Sequence, residues 1–464
     1  MNSSSTVSCD SSSESRSRSR SRSRSCSQSL SESLSSISPE SRPSTKLQLV
    51  ERVIEPLDYY SSRRFHPVHL MDTFQGTRYR VFRKLGYGSF STVWLARDAR
   101  FGRFVALKVG QAEIESSSAS TEETCIYQLL AETKFPSHPG CNHYLPLLDH
   151  FRFTGPNGTH QALVYEPMSG SVTEVKEALF PNAPFPLRTA KAILWQTLLG
   201  LDFLLANDVV HGDVQPRNLL FTLEDLKEVP EDELAQNMDI PVTLRLDTDL
   251  EGGVKGPKYL VPAKSLMQYL DISKPFMIKV SDLGGSFLTS HPPSAPSPPL
   301  HLRGPETLFQ RLISAKQDMW SFGCLIFEFV TGVALFDLSD HPVTNITDDM
   351  HFIDMYNVLG FPRDETLRNR QWPNWQKFFR SNGEPIDHYI RRRDRDLDIA
   401  GRPTTHTLEG LLEEAVGERL SSEELEATKH LLRGLLEFDP EKRFTTQDVL
   451  RHRWFAEQKW GVCV

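Results

Sequence analysis

Two short polar segments, each bordered by apolar residues, place the strongest constraint on what this chain can fold into. Residues 211–220 read His-Gly-Asp-Val-Gln-Pro-Arg-Asn-Leu-Leu, and residues 280–284 read Val-Ser-Asp-Leu-Gly. Asp213, Asn218 and Asp282 are the residue types that phosphoryl transfer requires, since one carboxylate orients the attacking hydroxyl while an amide oxygen and a second carboxylate hold magnesium against a triphosphate. A His-x-Asp triplet is common by itself, but the three residues in this order indicate a phosphoryl-transfer site.

A glycine-rich hairpin precedes these segments. Residues 85–93 read Leu-Gly-Tyr-Gly-Ser-Phe-Ser-Thr-Val, which predicts a strand, a turn and a strand. Glycine allows the backbone to approach phosphate oxygens without an intervening side chain. About twenty residues later Lys108 ends the β-prone run Val-Ala-Leu-Lys, at the spacing of a strand-borne lysine that grips the α- and β-phosphates. An ordinary hairpin and a surface lysine are the alternatives.

A lysine in that position needs an anion to fix it. Residues 122–130 form a predicted helix, and its apolar residues at 126, 127 and 130 lie three, four and seven positions after Glu123. Glu123 therefore shares their inward face, whereas Glu122 points elsewhere. We expect Glu123 to pair with Lys108.

These segments together resemble those of eukaryotic protein kinases. More closely, residues 59–455 resemble the SR-protein kinase family, in the compact form found in filamentous fungi. The most specific stretches are residues 65–70, Phe-His-Pro-Val-His-Leu, and residues 90–96, Phe-Ser-Thr-Val-Trp-Leu-Ala. That family also has serine in place of the third glycine, as at Ser91, and Asp-Leu-Gly in place of Asp-Phe-Gly. It phosphorylates serines in arginine–serine repeats, using ATP and magnesium.

The resemblance implies an α+β, two-lobed protein kinase fold with a small β-rich N-lobe and a large, mainly helical C-lobe. It assigns Asp213 as the catalytic carboxylate, with Lys108, Asn218 and Gln215 beside it, and Asn218 and Asp282 as magnesium ligands. The expected ATP contacts are Leu85, Gly86, Gly88, Ser91, Val93, Ala106, Lys108, Glu123 and the hinge residues Glu166 and Met168.

The resemblance also implies contacts elsewhere in the large lobe. Glu306, in Arg-Gly-Pro-Glu, is expected to pair with Arg443. Asp348 and Asp349 lie where the family keeps acidic residues that dock arginine-rich substrates, although an exposed acidic pair is usually only a solvated surface.

Three positions depart from the common kinase pattern. Gln215 stands where most serine/threonine kinases have a lysine, and the loss of one charge-assisted contact costs about 1.5–3 kcal/mol, which slows catalysis without abolishing it. Gly304 replaces the usual alanine. Gly212 replaces the arginine that pairs with a phosphorylated activation loop in many kinases, and the proline-rich stretch of residues 291–299 restricts that loop before any phosphate arrives.

Residues 1–46 differ in composition from the rest. Nearly half are serine, none is aromatic, and residues 15–25 alternate serine and arginine. Such a segment buries too little apolar surface to offset its ordering entropy, so we expect a disordered tail. It carries a net charge of +3 in a chain whose net charge is −8. The tail is either a solvated basic extension or a substrate-like segment that docks on the acidic body.

The organisation predicted from these features has four parts. The tail is followed by an N-terminal extension (47–78), the N-lobe and hinge (79–168) and the C-lobe (169–456), with insertions near 222–276 and 340–402. The six cysteines are scattered without a Cys-x-x-Cys pair, which indicates reduced thiols. No apolar run approaches the roughly 18–20 residues of a membrane span.

These observations favour an ATP- and magnesium-dependent serine/threonine kinase acting on arginine/serine-rich splicing factors. We expect a monomer in the cytoplasm and nucleus, without direct nucleic-acid or membrane partners. The sequence is also compatible with two alternatives: a pseudokinase that binds nucleotide or partners, and a splicing-related scaffold that acts through the tail.

Overall fold

The computed structural model describes residues 54–60, 64–113, 119–181, 183–223, 226–236, 256–309, 313–336, 348–360, 374–380 and 407–456. The predicted tail lies outside these ranges, as do parts of both predicted insertions. The described residues belong to one compact unit, Leu47–Val464. The four-part division remains a prediction.

The small lobe is an antiparallel sheet with one helix. Among the described residues the strand order is β1-β2-β3-β4-β6-β5. Apolar side chains that alternate along the strands, such as Val81, Val105 and Leu107, fill one face of the sheet and form a core. The strands are Thr73–Phe74 (β1), Tyr79–Tyr87 (β2), Ser91–Asp98 (β3), Arg103–Ala112 (β4), Asp149–Gly155 (β5) and Gly158–Tyr165 (β6), and the helix is Ala119–Ala131 (α1).

The large lobe contains short strands and most of the helices. Its strands are Met168–Ser171 (β7), Val209–Val210 (β8), Leu219–Thr222 (β9), Ile278–Val280 (β10) and Phe287–Leu288 (β11). Its described helices are Val172–Leu179 (α2), Leu187–Ala206 (α3), Glu231–Leu234 (α4), Pro305–Leu308 (α5), Lys316–Thr331 (α6), Asp348–Leu359 (α7), Trp375–Phe378 (α8), Leu408–Val416 (α9), Ser422–Leu435 (α10), Thr446–Leu450 (α11) and Arg453–Ala456 (α12).

Strands β9 and β10 bring the two polar segments of the sequence together. They pair antiparallel with Leu219 opposite Val280, and Ser281 donates its backbone N–H to the carbonyl of Asn218 at 2.8 Å. The end of the 211–218 loop therefore lies beside the start of the Asp-Leu-Gly segment. The α+β kinase fold expected from the sequence is confirmed.

Helix α3 corrects one statement made from the sequence. Its 20 residues are long and apolar enough, by length and composition, to cross a membrane, so the expectation that no apolar run approaches this length was wrong. However, 67% of its most apolar window is buried inside the protein. Ile193, Leu194 and Leu198 are fully buried in the large-lobe core, as in the central helix of a globular domain.

The predicted insertion near 340–402 packs against the large lobe where it is described. Phe352, Phe378 and Phe379 are buried in the same core as α6, and the rings of Phe352 and Phe378 lie 4.6 Å apart. These aromatic residues therefore form core contacts. Trp372 lies outside the described residues.

Candidate active site

Lys108, Glu123 and Asp282 converge at the interface of the sheet, helix α1 and the Asp-Leu-Gly segment. Lys108 Nζ lies 2.8 Å from Asp282 Oδ1 and 3.5 Å from Glu123 Oε1. Glu122 is exposed, as the helical spacing indicated. Leu283 is buried against Ile126 and Leu130 of α1, so the residue after Asp282 fixes the segment to the helix.

The electrostatics of this cluster follow from burial and opposite charges. Burial alone would lower the pKa of Lys108, but the carboxylates of Asp282 and Glu123 outweigh it and raise that pKa above its ordinary value. The lysine charge lowers the pKa of Asp282, whereas burial raises the pKa of Glu123. The cluster therefore presents a charged ammonium and an ionised, half-exposed Asp282 carboxylate at the cleft.

The loop around Asp213 is held by a carboxylate that the sequence did not assign to the site. Asp318, in the first turn of the apolar helix α6, accepts hydrogen bonds from the backbone N–H groups of His211 (2.8 Å) and Gly212 (2.9 Å). Burial raises the pKa of Asp318 to about 6. His211 Nε2 lies 3.0 Å from the carbonyl of Ser281 and links the loop to the Asp282 segment. The only sequence signal for the contact between Asp318 and this loop was an acidic residue in an otherwise apolar helix.

Asp213 is oriented by two side-chain amides. Gln215 donates to Asp213 Oδ2 at 2.7 Å, and Asn218 donates to the same oxygen at 3.0 Å and to the Asp213 carbonyl at 2.9 Å. The other carboxylate oxygen, Oδ1, is buried and has no hydrogen-bond partner within the described part of the chain. Burial raises the pKa of Asp213, and the hydrogen bond from Gln215 opposes that rise. Two donors thus fix one oxygen, and the other has no donor within the described part of the chain.

Apolar residues from both lobes form one hydrophobic lining beside Lys108 and Asp282. Ala106, Tyr165 and Met168 belong to one buried group, and Leu85 and Val93 pack against it. Val93 lies directly opposite Lys108 in the β3–β4 ladder. The group also includes Leu220 of β9, which the sequence reasoning missed; the apolar residue two positions after Asn218 was its only signal.

The glycine-rich hairpin connects β2 and β3 at the edge of this lining. A methyl group built on Gly86 or Gly88 would meet no atom within 4 Å among the described residues, so the backbone is open on that side. Gly88 donates its N–H to the carbonyl of Ser91 at 2.8 Å, which closes the turn. The side chain of Ser91 is buried, and its predicted contact with ATP remains a prediction.

The hinge residue Glu166 makes a contact that the sequence did not predict. Lys279 of β10 lies 2.5 Å from Glu166 Oε1, which links the hinge to the strand before Asp282. The predicted role of Glu166 involves its backbone, and this ion pair leaves the backbone available.

The segment of residues 282–306 is packed tightly against the Asp213 loop. Gly212 has φ = +75°, and a methyl group at this position would lie 2.3 Å from the carbonyl oxygen of Gly285. Ser297 of the proline-rich stretch lies next to Gly285, at 3.0 Å from a methyl group placed there. The backbone therefore excludes an arginine at position 212 in this arrangement.

The expected pair of Glu306 and Arg443 is confirmed. The two side chains are fully buried and form a bidentate contact at 2.8 and 2.9 Å. Arg443 also donates to the carbonyls of Lys316 and Glu437, so the buried charge is satisfied. A methyl group on Gly304 would lie 2.5 Å from Glu306 Oε2, which accounts for glycine where alanine is usual.

Asp348 and Asp349 begin helix α7 and differ in their surroundings. Asp348 is exposed, whereas Asp349 Oδ1 lies 2.8 Å from Lys377 Nζ. A substrate arginine would therefore meet one exposed carboxylate and one that a lysine already neutralises.

Comparison with known proteins identifies the family. The protein kinase domain model matches residues 79–229 and 269–455. A protein named Serine/threonine-protein kinase SRPK, from Physarum polycephalum, is 29% identical over 416 residues, which cover 87% of this chain and 91% of that protein. A serine/threonine protein kinase of Aspergillus fumigatus is 28% identical over 395 residues, or 85% of this chain and 88% of its own length. Human SRSF protein kinase 3 is 35% identical over 173 residues, or 37% of this chain and 30% of that protein.

These relatives carry kinase names, and this chain has the lysine, aspartates and asparagine that the chemistry needs. The pseudokinase alternative is therefore not supported. The chain belongs to the protein kinase family, and the relatives that match most of its length are named as serine/threonine kinases.

Proposed function

We propose that this kinase transfers the γ-phosphate of ATP to serines in arginine/serine-rich proteins, splicing factors among them. The main support for this reaction is the arrangement of Asp213. Its Oδ2 accepts hydrogen bonds from two side-chain amides, and its Oδ1 is buried without a partner in the described chain. The substrate class is supported by the resemblance at residues 65–70 and 90–96 and by the relatives' names.

Asp213 is the proposed acceptor of the substrate proton. A serine hydroxyl that donates to the Asp213 carboxylate would be oriented for attack, and its proton would pass to the carboxylate as the serine oxygen bonds to the γ-phosphorus and the bond from that phosphorus to ADP breaks. The hydrogen bonds from Gln215 and Asn218 fix the carboxylate plane. Asp213 must be ionised for this role.

Asp282 and Asn218 are the proposed magnesium ligands. Oxygen atoms from a carboxylate and an amide suit this hard cation, and Asp282 is half exposed at the cleft beside the loop that ends at Asn218. Bound magnesium would neutralise charge on the phosphate oxygens. Lys108, fixed by Glu123, would supply a second positive charge to the α- and β-phosphates.

The apolar lining is the proposed adenine site. Leu85, Val93 and Ala106 would cover one side of the base, with Leu220 on the other lobe. The backbone of Glu166 and Met168 would give the base its hydrogen bonds. Gly86 and Gly88, with their open backbone, would cover the phosphates.

We further propose that the enzyme is a monomer in the cytoplasm and nucleus, without direct nucleic-acid or membrane partners. The net charge of −8 supports the absence of nucleic-acid binding, since the phosphate backbone attracts cationic surfaces. Sedimentation of the purified protein and imaging of a fluorescent fusion test this proposal.

The substrate proposal is tested with three matched peptides. Purified enzyme with magnesium-ATP is given an arginine–serine repeat, the same repeat with lysine for arginine, and the repeat with alanine for serine. We expect transfer to the first, a lower kcat/KM for the second because ammonium lacks the planar fork of guanidinium, and none to the third. Equal kcat/KM for the arginine and lysine peptides would contradict the proposed substrate class while leaving the kinase reaction intact.

A further inference from the structure

Lys84 is a fully buried lysine in β2, immediately before the glycine-rich hairpin. Its ammonium forms an ion pair with Glu55 of the N-terminal extension, and neither side chain is exposed. Tyr60 donates a hydrogen bond from its hydroxyl to the other oxygen of Glu55. The rings of Trp94 and Tyr87 lie 5.4 and 5.6 Å from the ammonium. The free energy cost of desolvating two charges offsets their mutual attraction, so a buried ion pair is weak evidence for a contribution to stability. The burial of Lys84 and Glu55 therefore needs another explanation.

The backbone of Lys84 is held by a second segment. Its N–H donates to Gln236 Oε1 at 3.0 Å, and its carbonyl accepts from the N–H of Lys264 at 2.8 Å. Gln236 also donates to the carbonyl of Pro262 at 2.8 Å, which fixes the two contacts relative to each other. Both segments that meet at Lys84, the extension with Glu55 and the stretch from 230 to 268, lie outside the part of the chain that matches the kinase domain.

Lys84 lies at the point in β2 where an irregularity in strand pairing changes the direction of the chain before the hairpin. The β2–β3 register shifts between Lys84 and Gly86, and such an irregularity bends a strand and redirects the residues after it. Leu85 packs against the apolar lining, and two residues further on the Tyr87 hydroxyl donates to the carbonyl of Ile54 at 3.5 Å. The extension thus contacts the hairpin on both sides of Gly86.

We propose that Glu55 and Lys84 are positioning residues that hold the glycine-rich hairpin over the phosphates of ATP. This inference rests on the proposed ATP site. The open backbone of Gly86 and Gly88 has no side chains to direct it, so its position depends on the strand that enters it. The two segments that lie outside the match to the kinase domain both contact β2 at Lys84 and support the strand there. Loss of the Glu55 charge would allow the hairpin to move away from the nucleotide.

The test compares Glu55→Gln with a matched control in the same sheet. Arg78→Met removes two other N-lobe ion pairs, in which Arg78 lies 3.0 Å from Asp98, at the opposite end of β2 and β3, and 2.6 Å from Asp149. We expect Glu55→Gln to raise the KM and the dissociation constant for magnesium-ATP by about tenfold, with kcat changed by less than about twofold. Arg78→Met is expected to lower the melting temperature without changing either constant. Amide hydrogen exchange over residues 85–93 should be faster in Glu55→Gln only.

A structural role would give a different pattern. If Glu55→Gln lowers only the melting temperature and the active fraction, with an unchanged dissociation constant for ATP, the proposal is wrong. Should Glu55→Gln fail to fold, the double variant Glu55→Leu with Lys84→Met removes both charges and avoids an unpaired buried ion. A wild-type dissociation constant in that variant would also overturn the proposal. Wild-type enzyme that binds magnesium-ATP but transfers no phosphate would instead contradict the proposed function.

Discussion

At the scale of single residues, Gln215 is the feature that separates this site from the common kinase pattern. The structure shows that its amide is directed at Asp213 Oδ2, at 2.7 Å. A lysine in this position would bring a positive charge to the same carboxylate. Gln215 therefore keeps the orientation of Asp213 and lacks the charge that would steady a transferred phosphate.

We predict that Gln215→Lys leaves kcat unchanged or raises it, and that it moves the acid limb of the pH–rate profile to lower pH. Burial raises the pKa of Asp213, and activity falls as pH drops through that pKa because the carboxylate becomes protonated. A neighbouring ammonium favours the ionised form and lowers the pKa. Gln215→Ala removes a hydrogen bond to the carboxylate and should move the limb to higher pH.

The measurement for this prediction is kcat as a function of pH for the wild type and both variants. A large fall in kcat for Gln215→Lys at every pH would mean that the site has been rebuilt around glutamine. An unshifted acid limb in both variants would mean that Asp213 does not set it.

We predict that Asp282→Ala weakens the binding of magnesium-ATP itself. The variant removes the proposed metal ligand and also the closest partner of Lys108, at 2.8 Å. The dissociation constant should rise for magnesium-ATP and much less for ATP with chelator, as calorimetry would show. Equal effects with and without magnesium would contradict the metal assignment.

The role of a residue could be predicted where it depends on spacing within one element. Glu123 could be selected over Glu122 from the helical period alone. The roles of Asp318 and Glu55 could not be predicted, because neither local spacing nor a motif points to their partners. Asp318 binds backbone groups more than 100 positions away, and backbone N–H groups have no sequence signature. Glu55 is one of several charged residues in its stretch, and only the fold shows that Lys84 is its partner.

At the scale of elements, the segment of residues 282–306 is the feature that bears on regulation. Leu283 is buried against α1, Ser297 lies next to Gly285, and Arg303 donates to the carbonyl of Pro298 at 2.7 Å. Gly212 leaves no space for the arginine that binds a loop phosphate in many kinases. Proline supplies the restriction of the backbone that a phosphate would otherwise supply.

We predict that the enzyme is active without phosphorylation of this segment. The measurement is kcat/KM for an arginine–serine peptide before and after phosphatase treatment, with phosphosite mapping of residues 282–306. A matched variant, Ser297→Ala, should retain the wild-type value within about twofold. Phosphatase treatment that silences the enzyme, with loss of a phosphate mapped to this segment, would refute the prediction.

Most elements with a strong periodic pattern could be predicted. Helix α3 coincides with a long, predominantly apolar run, and the hairpin between β2 and β3 follows its glycines. The contacts of the insertions could not be predicted in the same way. Gln236 and Lys264 donate their backbone N–H groups to the carbonyls of Phe82 and Lys84 in β2, and edge pairing of this kind does not depend on side-chain pattern.

At the scale of the whole molecule, charge is divided unevenly along the chain. Residues 1–46 carry +3 in a chain of net charge −8, and residues 15–25 alternate serine nucleophiles with arginine. Exposed carboxylates such as Asp348 suit capture of guanidinium groups. The tail therefore has the chemistry of the proposed substrates.

We predict autophosphorylation within residues 15–25 and competition between this segment and external arginine–serine substrates. Each phosphate adds about −1.5 to −2 charges, so a few would reverse the charge of the tail and relieve the competition. Phosphosite mapping after incubation with ATP, and peptide kinetics of the full chain and a variant without residues 1–46, measure both effects. The difference in KM should shrink as ionic strength rises, because exposed charges are screened beyond roughly 8–10 Å at about 0.1–0.15 M salt.

An unmodified tail, together with identical KM values for the two forms, would contradict the autoregulatory account. The tail would then be a solvated extension or a localisation signal. The kinase reaction itself would be unaffected by that outcome.

We propose that Asp213 is required for phosphate transfer. Magnesium-ATP binds to the same site independently of Asp213. The direct measurement is phosphate transfer from magnesium-ATP to an arginine–serine peptide by the wild type and Asp213→Asn, with ATP affinity measured on the same preparations. Asparagine keeps the shape of the side chain but removes the charge that accepts the proton. We predict a loss of about 10²–10⁴-fold in transfer with an unchanged dissociation constant for magnesium-ATP. Wild-type turnover by Asp213→Asn would contradict the assignment.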